Sequence, residues 1–191
     1  MIGIVDTGGA NLQSIKYSLS RINVDYKLSA HWSDFNDCEK LLLPGVGAAK
    51  NIMNNLAARD LLKPLKDSKK PIIGICVGMQ ILFDHSEEDN TECLGLIPGQ
   101  VKKFEHNNLA VPHMGWNQVS MSKDFKEFSG YYYFANSFYA DTNNKITYGK
   151  CDYGLTFSAF VRYKNYYGIQ FHPEKSSTLG LEFLKNILIN Q

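Results

Sequence analysis

Short apolar runs alternate with helical patterns through the first half of the chain, and this alternation leaves few folds open to it. Ile2–Asp6 is the first run, stopped by Thr7-Gly8-Gly9. Leu12, Ile15, Leu19 and Ile22 then recur near i, i+3, i+7 and i+10, which places them on one helix face. Val24–Leu28 and Lys40–Leu43 are the next runs, the second halted by Pro44-Gly45. Ala48–Leu56 reads as a helix, rich in residues that lose little side-chain freedom there. Pro71–Ile75 is a fourth strand, with a helix expected through Met79, Ile81, Leu82 and Phe83. Strand, helix and strand at this spacing predict a parallel sheet with helices on both faces.

The second half differs. From Leu94 to about Arg162 the chain is rich in Tyr, Phe, Val and Thr, punctuated by Gly and Asn. Tyr131–Phe138, Ile146–Cys151 and Leu155–Arg162 read as strands with no helices between them, which predicts an antiparallel portion. Thr178–Ile189 is helical, with Leu181, Leu184, Ile187 and Leu188 in one stripe. The expected fold is therefore α/β: a mostly parallel central sheet with helices on both faces, plus an antiparallel portion in the second half. No repeat or linker interrupts residues 1–191, so one domain is expected.

Composition removes several functional classes. Lys and Arg number 20 against 19 Asp and Glu, so the net charge is 20 − 19 = +1. A nucleic-acid or membrane-surface binder carries a marked basic excess, so neither is expected. No apolar stretch approaches the ~20 residues of a membrane span. Met1–Asp6 has no basic region before its apolar run and no small-residue cleavage site after it, so it reads as a strand and the cytosol is the expected location. Cys38, Cys76, Cys93 and Cys151 form no Cys-x-x-Cys pair and lie at no zinc-ligand spacing, so no metal is expected and free thiols are.

Cys76 has a context the other three lack. In Pro71-Ile-Ile-Gly-Ile-Cys-Val-Gly-Met-Gln80 a buried strand ends at Cys76 and a helix follows, with Gly74 and Gly78 two residues to either side. This is the pattern of a nucleophile elbow, a sharp turn that closes only where its neighbours lack side chains. A thiol there lies by a helix N-terminus, which favours thiolate, and the free N–H of Val77 can hold an oxyanion. A base follows downstream in Tyr166-Tyr-Gly-Ile-Gln-Phe-His-Pro-Glu174. Pro173 biases His172 towards extended chain, where residues i and i+2 point the same way, so Glu174 can orient one imidazole nitrogen while the other faces a thiol. Gly45-Val46-Gly47 follows a strand and fits neither phosphate-loop pattern, so its amides are read as a second oxyanion donor. His31, His85 and His106 read as surface residues. Val111–Asn117 reads as a loop around His113, either a contact surface presenting Met114 and Trp116 or a core-packing turn.

Together, Gly74–Gln80 and Gln170–Glu174 resemble the class I, triad-type glutamine amidotransferases. Pro44–Gly47, Pro112-His-Met-Gly-Trp-Asn117 and the Asn11-Leu12 opening are similar to one branch, the glutaminase subunits of imidazole glycerol phosphate synthases in histidine biosynthesis. The resemblance implies Cys76 as nucleophile, His172 as base and Glu174 as its orienting partner. It implies that the Gly45–Gly47 loop and Gln80 hold glutamine, that no cofactor takes part, and that ammonia passes to a separate (β/α)₈ cyclase subunit in a heterodimer. Asn11, Met114, Trp116 and Lys175 are the expected partner contacts. Two segments depart from the branch: Tyr133-Phe-Ala-Asn-Ser-Phe138 stands where Tyr-Phe-Val-His-Ser-Tyr is frequent, and Ala10 where Gly is frequent. Alternatives of similar fold are a cysteine gamma-glutamyl hydrolase or peptidase, and a paralogous glutaminase feeding another synthase.

Overall fold

The computed structural model describes residues 1–8, 12–105 and 109–191, with the backbone alone at Lys123. In chain order the parallel half comprises β1 (Ile2–Val5), α1 (Leu12–Arg21), β2 (Tyr26–Ser29), β3 (Lys40–Gly45), α2 (Ala49–Ala58), α3 (Leu62–Asp67), β4 (Ile72–Cys76) and α4 (Val77–Gln80). The remainder comprises β5 (His85–Ser86), β6 (Thr91–Glu92), β7 (Gln100–Lys103), β8 (His113–Met121), β9 (Gly130–Asn136), β10 (Phe138–Asp141), β11 (Thr147–Asp152), β12 (Thr156–Tyr163), β13 (Tyr166–Ile169) and α5 (Ser177–Lys185).

Strands β2-β1-β3-β4-β13 lie side by side and parallel, as expected of the first half. β13, from near the end of the chain, pairs parallel with β4 on one edge and antiparallel with β12 on the other. It is the seam between the two halves. Beyond it the sheet forks: β12 pairs with β10, which leads to β7, and with β11, which leads to β8 and β9. Every residue of β1, β3, β4 and β13 is buried, the signature of strands covered on both faces. Their core is shared with Leu19 of α1, Leu56 of α2, Leu65 of α3 and Phe183 and Leu184 of α5.

Register places the chemistry. Gly45 lies opposite Cys76 across β3 and β4, and Ile75 lies opposite Ile169 across β4 and β13. The carboxyl ends of these neighbouring strands thus deliver the Gly45–Gly47 loop, the cysteine and the Gln170–His172 segment to one edge, where ligands bind in open α/β sheets.

Several elements differ from expectation. The helix after β4 stops at Gln80. Ile81, Leu82 and Phe83 are buried, but their carbonyls accept N–H groups from Leu94, Leu96, Ile97 and Gly95 instead of continuing a helix. Tyr131–Phe138 is two strands, broken at Ser137 where the chain passes from one branch of the fork to the other. The segment read as a loop from Val111 to Asn117 runs into β8, whose burial alternates with Met114 and Trp116 on the exposed side. Large apolar residues facing solvent invert the usual pattern, which hid the strand. α3 was unforeseen, and the last helix ends at Lys185 and continues as a π turn over Asn186–Asn190.

The elbow is built from backbone meeting backbone. A Cβ on Gly78 would stand 1.9 Å from the carbonyl oxygen of Leu43, one on Gly45 2.2 Å from the nitrogen of Gly78, and one on Gly74 2.4 Å from the oxygen of Gly78. We expect Gly78→Ala to lower the unfolding free energy by about 1–3 kcal/mol, the usual cost of overpacking. A urea titration reads this as a lower midpoint at unchanged slope; a midpoint equal to wild type would show that the turn opens freely.

Candidate active site

Cys76 ends β4 with φ 54° and ψ −116°, a positive φ that side chains rarely adopt. The interlocked glycines hold it there. This strained turn is the elbow expected from sequence, but α4 beyond it is a single turn, so its unpaired first-turn N–H groups, and not a long helix dipole, are what it offers the site. Val77 touches the Gly45 segment, and Val46 and Gly47 continue outward from it, Gly47 with φ +94° and open space around it. Of the expected oxyanion residues, Gly45 and Val77 pack together at Cys76 and Val46 borders His172 and Glu174, while Gly47 lies beyond them.

His172 has extended backbone, φ −98° and ψ 94°, as Pro173 requires. Pro173–Lys175 then forms a tight 3₁₀ turn. Glu174 thus reaches the ring by a turn and not by strand alternation, a correction to the sequence reading. Its Oε1 lies 2.8 Å from His172 Nδ1, and both side chains are only 4% exposed. Glu174 Oε2 is buried with no partner. Glu174 occupies Nδ1, which leaves Nε2 as the ring nitrogen open to the Cys76 sulfur. Burial, the largest influence on His172, pushes its pKa down. The hydrogen bonds and charges of Cys76 and Glu174 outweigh it and raise the ring to about 10.

The sequence assigns no role to Ser176, or to Gln170 beyond its place in the Gln170–Glu174 motif. Ser176 is fully buried; its hydroxyl donates to the carbonyl of His172 at 2.6 Å and accepts from the N–H of Tyr133 at 2.9 Å. The His172 N–H donates to the carbonyl of Tyr133 at 2.8 Å. The base is thereby sewn to β9. No sequence motif marks that tie, since it joins residues about forty positions apart. Gln80 is buried too, and its Nε2 donates to the carbonyl of Phe138 at 3.1 Å and to Gln170 Oε1 at 3.0 Å. Both N–H groups are engaged, so only its oxygen remains for a ligand. Asn136 is buried beside them, donating to the same Phe138 carbonyl at 2.9 Å, with Oδ1 unpartnered.

Met114 and Trp116 are 59% and 53% exposed. The Trp116 ring meets Tyr133 edge-on, and Lys175 Nζ lies 5.8 Å from the centre of the Tyr133 ring. Trp116 and Lys175 thus flank Tyr133, with Met114 on the same exposed face of β8 as Trp116, whereas Asn11 lies outside the described residues, as does His106. His31 is exposed and His85 half-buried. His113 is a core residue: its ring stacks on Tyr153 and Phe134, and burial pushes its pKa down to about 4. All four cysteines are free and buried, and burial pushes Cys93 and Cys151 up to about 12, which leaves them inert. Among the described residues no cluster of side chains is fit to hold a metal.

A cysteine on a strained elbow, a buried imidazole influenced by it and a carboxylate on that imidazole are the kinds of group that thiol-based acyl transfer uses. The family profile "Glutamine amidotransferase class-I" matches residues 3–191, and the chain belongs to that family. It is 43% identical to the "Imidazole glycerol phosphate synthase subunit HisH" of Vibrio parahaemolyticus over 97% of this chain and 96% of that one. It is 40% identical to the protein of the same name from Mannheimia succiniciproducens, over 98% of each. Among solved structures, one described as "Crystal structure of glutamine amidotransferase" covers 100% of the chain and 99% of its own at TM-score 0.80 and 14% identity. A putative GMP synthase protein from Thermoplasma acidophilum covers 97% and 91% at TM-score 0.71 and 20% identity. These two share the fold.

Because the folded value of His172 lies above the 6.5 of a free ring, its charged pairing stabilises the protein fully below that pH, and the contribution is lost as pH rises through about 10. Glu174→Gln removes one of the charges that raise the ring. By NMR, the His172 titration should move to lower pH in this variant, and kcat should fall roughly 10- to 10³-fold. A kcat equal to wild type would reduce the triad to a cysteine–histidine dyad.

Proposed function

We propose that this chain hydrolyses glutamine to glutamate and ammonia through a thioester on Cys76. The ammonia passes to a separate (β/α)₈ cyclase subunit that makes imidazole glycerol phosphate and AICAR in histidine biosynthesis. The observation that carries the chemistry is the buried Cys76–His172–Glu174 chain at the carboxyl edge of the parallel strands. The partner is supported by relatives of near-equal length named as a subunit of that synthase. Residues 1–191 act as one domain in the cytoplasm, without metal or cofactor. No helix among the described residues is long and apolar enough to cross a membrane.

The Cys76 thiolate attacks the side-chain amide carbon of glutamine, and a carbon–sulfur bond forms. The developing oxyanion is held by the amides of Val77 and of the Gly45–Gly47 loop. His172 gives its proton to the departing nitrogen, the carbon–nitrogen bond breaks, and ammonia leaves. The neutral ring then takes a proton from water, whose oxygen attacks the thioester. Glutamate departs, and thiolate and imidazolium are restored. Glu174 keeps the ring oriented and stabilises its charge throughout. Gln80, with its N–H groups engaged, has only its side-chain oxygen left to help hold glutamine.

Met114, Trp116 and Lys175 form the docking surface. Large apolar and aromatic side chains are enriched at interface centres, and these lie over the strand to which the base is tied. A partner seated there covers the site and takes ammonia before bulk water protonates it.

Cys76→Ala is expected to abolish glutamine hydrolysis without unfolding the chain, and a glutamine-analogue electrophile should label Cys76 alone by mass spectrometry. Labelling mainly at another cysteine would sink the assignment. Trp116→Ala should weaken cyclase binding by at least ~2 kcal/mol in titration calorimetry and uncouple hydrolysis from product formation, with added ammonium salt restoring synthesis. Full glutaminase activity of the lone chain with no measurable cyclase binding would instead make it a free-standing hydrolase.

A further inference from the structure

The nucleophile has a second side-chain neighbour that the triad does not use. Gln170 and His172 stand two residues apart on the extension of β13 and both face Cys76, while Phe171 between them turns into the core against Tyr132 and Phe134. Gln170 is fully buried, and its Nε2 lies 3.9 Å from Cys76 Sγ. On a further side, the Ala135 carbonyl lies 3.9 Å from the same sulfur.

The orientation of the Gln170 amide follows from its neighbours. The Phe138 carbonyl can only accept, so Gln80 must turn its nitrogen towards it, at 3.1 Å. That nitrogen is also 3.0 Å from Gln170, which must therefore present its oxygen to Gln80 and its nitrogen to the sulfur. Asn136 donates to the same Phe138 carbonyl and braces the start of the series. A backbone carbonyl on β10 thus fixes, through two buried amides, an N–H aimed at the reacting atom.

We propose that Gln170 is a positioning residue for the nucleophile, holding the Cys76 sulfur and stabilising its thiolate through a carboxamide N–H locked in place by Gln80. The inference rests on Cys76 being the nucleophile. Its chemical point is constancy. His172 gives up its proton when ammonia leaves, and the sulfur must later depart from the thioester as an anion. An amide N–H does not ionise, so it remains a donor to sulfur at every stage. A hydrogen bond to a buried anion is stronger than one between neutral groups.

The test is alkylation of Cys76 by iodoacetamide in the intact chain, followed by mass spectrometry at pH 7 and pH 9.5. Gln170→Glu keeps an acceptor for Gln80 and removes the N–H; Gln170→Met keeps the shape and removes both. Each should slow alkylation at pH 7 about tenfold, with the gap closing at pH 9.5, and Gln170→Glu should lower kcat for glutamine with little change in KM. Alkylation at the wild-type rate in folded variants overturns the proposal. So does an equal slowing at both pH values, which reports access to the sulfur, or a rise in KM alone, which reports a role in substrate binding. Should neither variant fold, the Gln170 side-chain N–H resonance of the wild-type chain must shift over the pH range in which its alkylation rate rises; a resonance flat across that range overturns the proposal. Failure of wild-type Cys76 to react ahead of the other cysteines would bring down the nucleophile assignment itself, whereas normal wild-type labelling with unaffected variants rejects only the role of Gln170.

Discussion

Everything at the active edge depends on a close approach of main chain to main chain. Gly78 sits under the Leu43 carbonyl, Gly45 against the Gly78 nitrogen, and Gly74 against the Gly78 oxygen. No side chain fits between these segments. The contact draws the end of β3 onto the turn after β4, and Cys76 is left at φ 54° with its sulfur lifted towards the ends of the neighbouring strands. Strain at one residue is tolerable because the fully buried strands β3 and β4 overdetermine its position.

Around that sulfur the protein supplies groups of different kinds. His172 is a titratable partner, charged in spite of its burial because the sulfur and Glu174 favour the proton. Gln170 is a neutral donor, and the Ala135 carbonyl an acceptor. They come from β13 and β9, and the hydroxyl of Ser176 clamps the backbones of those segments together. Little water reaches the cluster, since Cys76 is 2% and His172 3% exposed. Low local polarity strengthens each of these contacts and makes an unpaired oxygen such as Glu174 Oε2 costly.

The same clamp connects chemistry to surface. Tyr133 lies between Trp116 and Lys175 on the outside and, through its backbone, bonds His172 and Ser176 on the inside. Trp116 therefore packs beside the strand to which the base is tied. The exposed Trp116 and Lys175 thus stand only a few bonds from the backbone of His172.

Much of this was legible in residue order. The spacing of apolar runs gave the parallel half, because buried strands and amphipathic helices have different periods, and Gly74-x-Cys76-x-Gly78 marked the elbow because a turn without room for side chains needs glycine. His172-Pro173 likewise foretold an extended histidine with an acid close by. Other features were decided by tertiary structure alone. The helix after β4 ended at Gln80 because the carbonyls of Ile81, Leu82 and Phe83 found donors in a distant segment. β8 was hidden because Met114 and Trp116 face solvent, against the pattern by which a half-buried strand is recognised. The roles of Gln170 and Ser176 gave no local signal, since they come from sitting beside residues far away in sequence. The chain's own order specifies which groups can do chemistry through local conformation, while only the register of β13 against β4 and the tie to β9 set their mutual distances, because hydrogen bonds between remote strands leave no periodicity in the sequence.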